Sequence, residues 1–154
     1  SIGCLSTMAL YDWLLQQPLE QFDYNKSNYK TMGDKEIEIK CLFRQPEIVR
    51  RALLETERKH LESEQIEERI DQLRNVWPKL RNRLQNHLLP TTKLKYLLEA
   101  ANAPIRAHQI GISEEHLKRT IRAARFIRSR YTILDLLDQT GLLDKALSEA
   151  QLPM

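Results

Sequence analysis

Four histidines, two cysteines and several neighbouring carboxylates are the residues of this sequence with the chemistry to hold a metal or move a proton. His60, His87, His108 and His116 make no H-x-x-x-H or H-E-x-x-H pair, the spacings that put two imidazoles on one face of a helix. His108 and His116 are eight positions apart across an expected helix boundary, and all four read as surface or capping histidines. Cys4 and Cys41 lack metal-ligand spacing and read as buried or partly buried reduced thiols, as in a cytosolic protein. Glu67 with Glu68, and Glu114 with Glu115, lie in charge-rich stretches and read as solvated helix faces. Ser6, Ser63, Ser113 and Ser129 have no nucleophile-elbow context. There is no G-x-G-x-x-G and no P-loop, so the chain has no phosphate cradle of its own. No residue is therefore assigned a catalytic, cofactor-binding or metal-binding role.

The cations are more concentrated. Lys118, Arg119, Arg122, Arg125, Arg128 and Arg130 place positive charge around one expected helix, and Arg122 and Arg125, three apart, share a face. Three readings compete: a nucleic-acid helix, a contact to a substrate phosphate, and a face pairing with carboxylates such as Asp135 and Asp138 or with a neighbouring domain. Arginine suits phosphate geometry. The only aromatic residues among these cations are Phe126 and Tyr131, which argues against base stacking. A net charge of +3 does not by itself call for nucleic acid. The pairing face is the favoured reading.

A chain of 154 residues fits one domain with a real core. Glycine is scarce, and apolar residues recur at intervals of three and four, the helical period. No apolar run approaches the roughly 18 residues of a membrane span, and no signal peptide is visible. A cytoplasmic protein is expected. The opening S-I-G-C-L-S-T-M-A-L is apolar, uncapped and without an initiator Met. It reads as the interior of an element, so the expectation is a fragment of a larger protein.

Helix is predicted over residues 1–17, closed by Pro18, with Leu5, Met8, Ala9, Asp12 and Leu15 inward. Residues 18–33 read as a loop. Asp34 is expected to cap a helix through Phe43, although Ile37, Ile39, Cys41 and Phe43 alternate as in a strand; no second strand is available for pairing. Pro46 suits the first position of a helix reaching His60 or Leu61. Ser63 begins the clearest stripe: Ile66, Ile70, Leu73, Trp77, Leu80, Leu84 and Leu88, with Trp77, Leu80 and Leu84 expected in the core. Pro78 should bend that helix, and Leu89-Pro90 should end it. Thr91 or Thr92 should cap the next one, with Asn102 as its left-handed terminus before Pro104.

The stretch from Ile112 to Leu143 organises the chain. Ser113 is an N-cap, Glu114 and Glu115 suit the macrodipole, and Ile112 and Leu117 form a hydrophobic staple. Thr132 followed by Asp135 is a second cap, and Gly141 ends the last helix. Two helices should meet near Ser129 to Thr132, or one should bend there. Tyr131, Leu134 and Leu137 should dock the second, with Asp135 paired to an arginine of the preceding helix, Arg128 being the first candidate. Leu142 to Met154 reads as a fraying helical tail.

This stretch also carries a family resemblance. A-R-F-I-R-S-R-Y-T-I-L-D-L-L-D-Q-T-G-L-L resembles the C-terminal end of the sn-glycerol-1-phosphate dehydrogenases, in the iron-containing alcohol dehydrogenase and dehydroquinate synthase-like superfamily. Trp77 to Pro104 resembles the family's Trp-Pro helix, Leu-Pro break and "L-L-x-x-A-G-A-P" ending, with Asn102 in place of the usual Gly. I-G-I-S, Ile110 to Ser113, resembles the entry to its late helix. S-I-G-C-L-S-T-M-A-L-Y-D-W-L-L resembles the helix that follows its last metal-binding histidine. The likeness is loosest between Pro18 and Ser63.

The resemblance implies an all-α bundle of about five to seven helices over residues 1–154, a dehydroquinate synthase-like C-terminal domain. The parent enzyme would interconvert dihydroxyacetone phosphate and sn-glycerol 1-phosphate with NAD(P). A divalent metal (Zn, Ni or Fe) would be held by an Asp and two His. Nucleotide and metal residues would all precede Ser1, so none is carried over and this chain alone should be inactive. The implied partners are the N-terminal nucleotide-binding domain, the phosphorylated substrate and a second copy in a homodimer, with neither nucleic acid nor membrane. The rival reading is a stand-alone helical interaction module without catalysis.

Overall fold

The proline and capping pattern divides the chain into helices and leaves no strand. The computed structural model describes all residues from Ser1 to Met154. It contains α1 (Ile2–Leu14), α2 (Met32–Leu42), α3 (Pro46–Glu57), α4 (Ser63–His87), α5 (Thr91–Ala100), α6 (Glu114–Ala124), α7 (Ile133–Gln139) and α8 (Leu143–Glu149). The all-α class agrees with the helical period of the sequence, and eight helices exceed the five to seven expected. Single 3-10 turns at Leu19–Gln21, Lys26–Asn28 and Ala107–Ile110 occupy the connections. No helix is long and apolar enough to cross a membrane.

Helix α1 runs through the middle of the main core. Its Leu10, Trp13 and Leu14 pack in one cluster with Trp77 of α4, Leu117 and Ile121 of α6, Leu137 of α7 and Ala146 and Leu147 of α8. The helix stops at Leu14 rather than at 17. Pro18 has no N–H for the Leu14 carbonyl, so the chain tightens into i→i+3 bonds, Gln16 N to Trp13 O (3.1 Å) and Gln17 N to Leu14 O (3.0 Å). Asp12 is exposed, not inward, and accepts the Thr91 hydroxyl.

Helices α2 and α3 form a hairpin with a separate small core of Ile39, Ala52 and Phe126, flanked by Leu42, Phe43, Val49 and Leu53. The N-cap of α2 is Thr31, not Asp34. Asp34 is the reciprocal member of a capping box, its carboxylate taking the Thr31 N–H at 2.8 Å and hydroxyl at 2.7 Å. Those bonds hold the Asp34 carboxyl below its ordinary pKa. The expected loop of residues 18–33 thus includes two 3-10 turns and the start of α2.

Helix α4 continues through Pro78 and is capped by Glu62 in a box with Gln65. Of its stripe, Ile66, Ile70 and Trp77 are buried, while Leu73, Leu80, Leu84 and Leu88 lie half-buried at the core edge. One cause is that little packs over its C-terminal half: α5 leans on α1 and has no buried residue. The N-cap of α5 is Pro90; Thr91 is already inside the helix. Asn102 has φ 52° and Gly141 φ 70°, the left-handed termini read from sequence.

Helix α6 ends at Ala124, well before Ser129, so α6 and α7 do not meet but are joined by the irregular segment 125–132. Tyr131 lies outside α7, is 42% exposed and carries Arg69 over its ring at 4.5 Å; Ile133 docks the helix in its place, with Leu137. The C-terminal tail does not fray. Leu143, Ala146, Leu147, Ala150 and Leu152 are buried, and Pro153 O accepts the Ala107 N–H at 2.8 Å. Both cysteines are free thiols, and both are exposed, contrary to the buried or partly buried positions expected.

Candidate functional site

Lys35 precedes Ile39 by four residues on α2 and so shares its face. Ile39 is fully buried, and the periodicity that buries it carries Lys35 inward to 9% exposure. Around the lysine, α2, the α3–α4 turn, the 125–132 segment and α7 assemble a polar cluster in the interior. Arg125, 3% exposed, reaches Glu38 Oε2 at 2.5 Å and Asp138 Oδ1 at 3.3 Å. Lys30 Nζ binds the same Asp138 oxygen at 2.7 Å. Lys59 Nζ donates to the Arg125 carbonyl and to Asp135 Oδ1. The other Asp135 oxygen accepts the Thr132 N–H and hydroxyl, both at 2.8 Å, and so caps α7. A cavity of about 20 Å³ remains among Lys35, Thr56, Lys59, Arg125, Asp135 and Asp138. That volume suits one water.

Lys30, Lys59 and Arg125 thus pair with Glu38, Asp135 and Asp138, and no carboxylate is left for Lys35. Its partner is His60, whose Nδ1 lies 2.8 Å from Nζ. His60 Nε2 lies 3.4 Å from the Tyr29 hydroxyl, which donates to Glu62 Oε2 at 2.7 Å. Burial pushes the Lys35 ammonium below its ordinary pKa. Burial, and then the charge of Lys35, pull His60 the same way. Burial, helped by Glu62, raises the Tyr29 hydroxyl to about 12, so it remains a donor at neutral pH.

The basic run disperses because only part of it is helical. Lys118 pairs with Glu114, and Arg122 with Asp144. Arg119 donates to the carbonyls of Cys41 and Leu42 at the end of α2, where helix carbonyls lack intrahelical partners. Arg125 turns inward. Arg128 and Arg130 stay exposed, and Asp135 pairs with Lys59 instead of Arg128. The pairing reading therefore holds for Arg125 with Asp138 and fails for Asp135. Of the histidines, His87, His108 and His116 are exposed, while His60 is half-buried because Tyr29 and Lys35 cover it. Lys30, Lys35, Lys59 and His60 were not foreseen as a site. The available signal was Lys35 itself, a charge four residues from Ile39 on an inward face.

A second concavity, an open cleft of about 610 Å³, lies between α1, the end of α4, the start of α5 and the C-terminal segment. Within it, Trp13 Nε1 donates to Glu149 at 2.9 Å, and Thr91 to Asp12. No three His, Cys, Asp or Glu side chains gather as metal ligands. No group of side chains in this chain fits the metal that the resemblance implies.

No family model, curated protein or solved structure matches the chain. The cluster is a cross-link of ionic and hydrogen-bonded groups with room for a water, and it contains no nucleophile placed before an open substrate space.

Proposed function

We propose that this chain is the C-terminal helical domain of a metal-dependent, NAD(P)-linked sn-glycerol-1-phosphate dehydrogenase, a dehydroquinate synthase-like bundle. The observation that carries the reading is Asn102. The resembling family has a Gly at this point of "L-L-x-x-A-G-A-P", and here the residue adopts φ 52°, a conformation that glycine favours and asparagine tolerates. The register of the resemblance thus has a backbone reason behind it. Thr132, Asp135 and Gly141, in the resembling C-terminal stretch, cap the two ends of α7. In this reading the helices form one wall of an interdomain cleft, and the metal and nicotinamide chemistry belong to the preceding domain.

The test is an assay of the whole gene product for NAD(P)H oxidation by dihydroxyacetone phosphate with Zn, Ni or Fe supplied. Activity is expected with the complete protein. A metal-loaded, complete protein without turnover refutes the reading. Calorimetry on the isolated chain should detect no nicotinamide nucleotide binding; micromolar affinity would overturn the division of labour. A stand-alone interaction module has one observation in its favour, the exposed Tyr96 (68%) and Leu97 (48%) on α5. That reading gains if the gene encodes no upstream nucleotide-binding domain.

A further inference from the structure

We propose that Lys35 and His60 form an acid-released latch that closes the α2–α3 hairpin and the following turn over the buried polar cluster. The latch is independent of the dehydrogenase reading.

Its direction follows from donors and acceptors. As an ammonium, Lys35 Nζ can only donate, so His60 Nδ1, at 2.8 Å, then presents its lone pair. The neutral ring then carries its proton on Nε2, towards the Tyr29 hydroxyl oxygen at 3.4 Å and Glu62 Oε1 at 3.7 Å. Tyr29 in turn donates its hydroxyl hydrogen bond to Glu62 Oε2. The sequence of donors runs outward, from a lysine 9% exposed to a glutamate side chain 70% exposed. A proton added at Nδ1 reverses the first link. Two donors then face each other at hydrogen-bond distance, and both are cationic.

The surroundings do not relieve that conflict. From α2, Lys35 faces the ring; from the segment before α2, Tyr29; from the start of α4, Glu62. Glu62 favours the imidazolium, but it is solvent-screened, while the lysine is inside. Around Lys35 itself stand Asp135 and Asp138 of α7, with Arg125 and Lys30. Both aspartates are held by other cations. Burial first, and the charge of Lys35 second, hold His60 below its ordinary pKa when the latch is closed. The open state binds the proton more readily, so the latch is at full strength above about pH 6.5, the ordinary imidazole value, and weakens as pH falls through and below it.

The consequence reaches beyond one bond. The turn that carries His60 also carries Lys59, which ties it to the Arg125 carbonyl and Asp135. Besides these links the hairpin is held by α2–α6 contacts and by the small core under Phe126. Release of the turn leaves the hairpin to that core, the α2–α6 contacts, the Arg119 bonds to the Cys41 and Leu42 carbonyls and the Arg125–Glu38 pair, and opens the cluster cavity to water.

Imidazole nitrogen NMR and amide hydrogen exchange on the 154-residue chain test the latch. At pH 7.5 the His60 ring should carry its proton on Nε2, and its transition should lie below that of an unfolded peptide. Between pH 7 and 5.5, protection in α2 and residues 58–62, corrected for intrinsic exchange, should fall by up to about tenfold per pH unit, the limit for one linked proton. His60→Asn keeps an acceptor near the Nδ1 position without a titrating group, and should flatten this local fall. Lys35→Met removes the opposing cation and should move the imidazole transition upward. A proton on Nδ1 at pH 7.5, or an undiminished local fall in His60→Asn, overturns the proposal. Should Lys35→Met fail to fold, the wild-type nitrogen spectrum still decides.

Discussion

Replacing Asp135 by Asn should destabilise the protein more than replacing Leu134 by Ala, the reverse of what the sequence suggests. Asp135 is 8% exposed, and its partner Lys59 has a side chain 11% exposed. Asparagine can still accept the Thr132 N–H, so most of the α7 cap survives. It cannot neutralise Lys59, which is left as a buried cation without a counter-charge. Breaking a buried pair from one side costs about 3–5 kcal/mol. For a chain of this size that is a fall in Tm of about 6–20 °C. Leu134 is only half-buried. A buried Leu→Ala change costs about 2–5 kcal/mol, so roughly 1–2 kcal/mol is expected here. Urea denaturation of both variants with unchanged m-values gives the comparison. Adding Lys59→Met to Asp135→Asn should recover part of the loss, because the orphaned charge is then removed. An Asp135→Asn loss under about 1 kcal/mol, or a double variant no better than the single, would refute the argument.

Trp77 is 1% exposed and donates through Nε1 to Gln17 O at 3.2 Å, so Trp77→Ala should cost about 3–5 kcal/mol. Half-buried Leu80→Ala should cost only about 1–2 kcal/mol, below the range for a core leucine; equal losses in a denaturant titration would place both in the core. Gly111 and Gly141 share φ 70°, and alanine at either carries the left-handed penalty of about 1–2 kcal/mol. At Gly111 a Cβ meets open space, whereas at Gly141 it would lie 2.3 Å from Asn28 Nδ2, which reaches Thr140 O. Gly141→Ala should therefore be worse by about 1 kcal/mol, the value of a displaced hydrogen bond; identical thermal shifts would show that Asn28 moves freely.

Most local signals are legible where neighbours in sequence supply the physics. Ser113 caps α6, Thr132 and Asp135 form their box, and Asn102 and Gly141 take left-handed φ, because each depends on residues within one turn. The sequence pattern points to Asp34 where Thr31 is the cap, since both members of this capping box are cap-forming residue types and the pattern alone does not say which is first. The fraying tail was an error of a different kind. Nothing near Leu143 reveals that α1 and α7 present an apolar surface for it to cover.

The candidate site lies further from the sequence still. Composition and the helical period determined the all-α class, and the caps and prolines determined most helix boundaries. Which cation meets which carboxylate was decided only when α2, the turn after α3 and α7 came together. Lys59 and Asp135 are 76 positions apart, and Lys35 and His60 are 25 apart. Local spacing made Arg128 the natural partner for Asp135, but the early end of α6 swings Arg125 inward and leaves Arg128 in solvent. Charge pairing acts through space and is strongest where water is excluded. The burial that selects those pairs is a property of the packed helices, and no window of the sequence contains it.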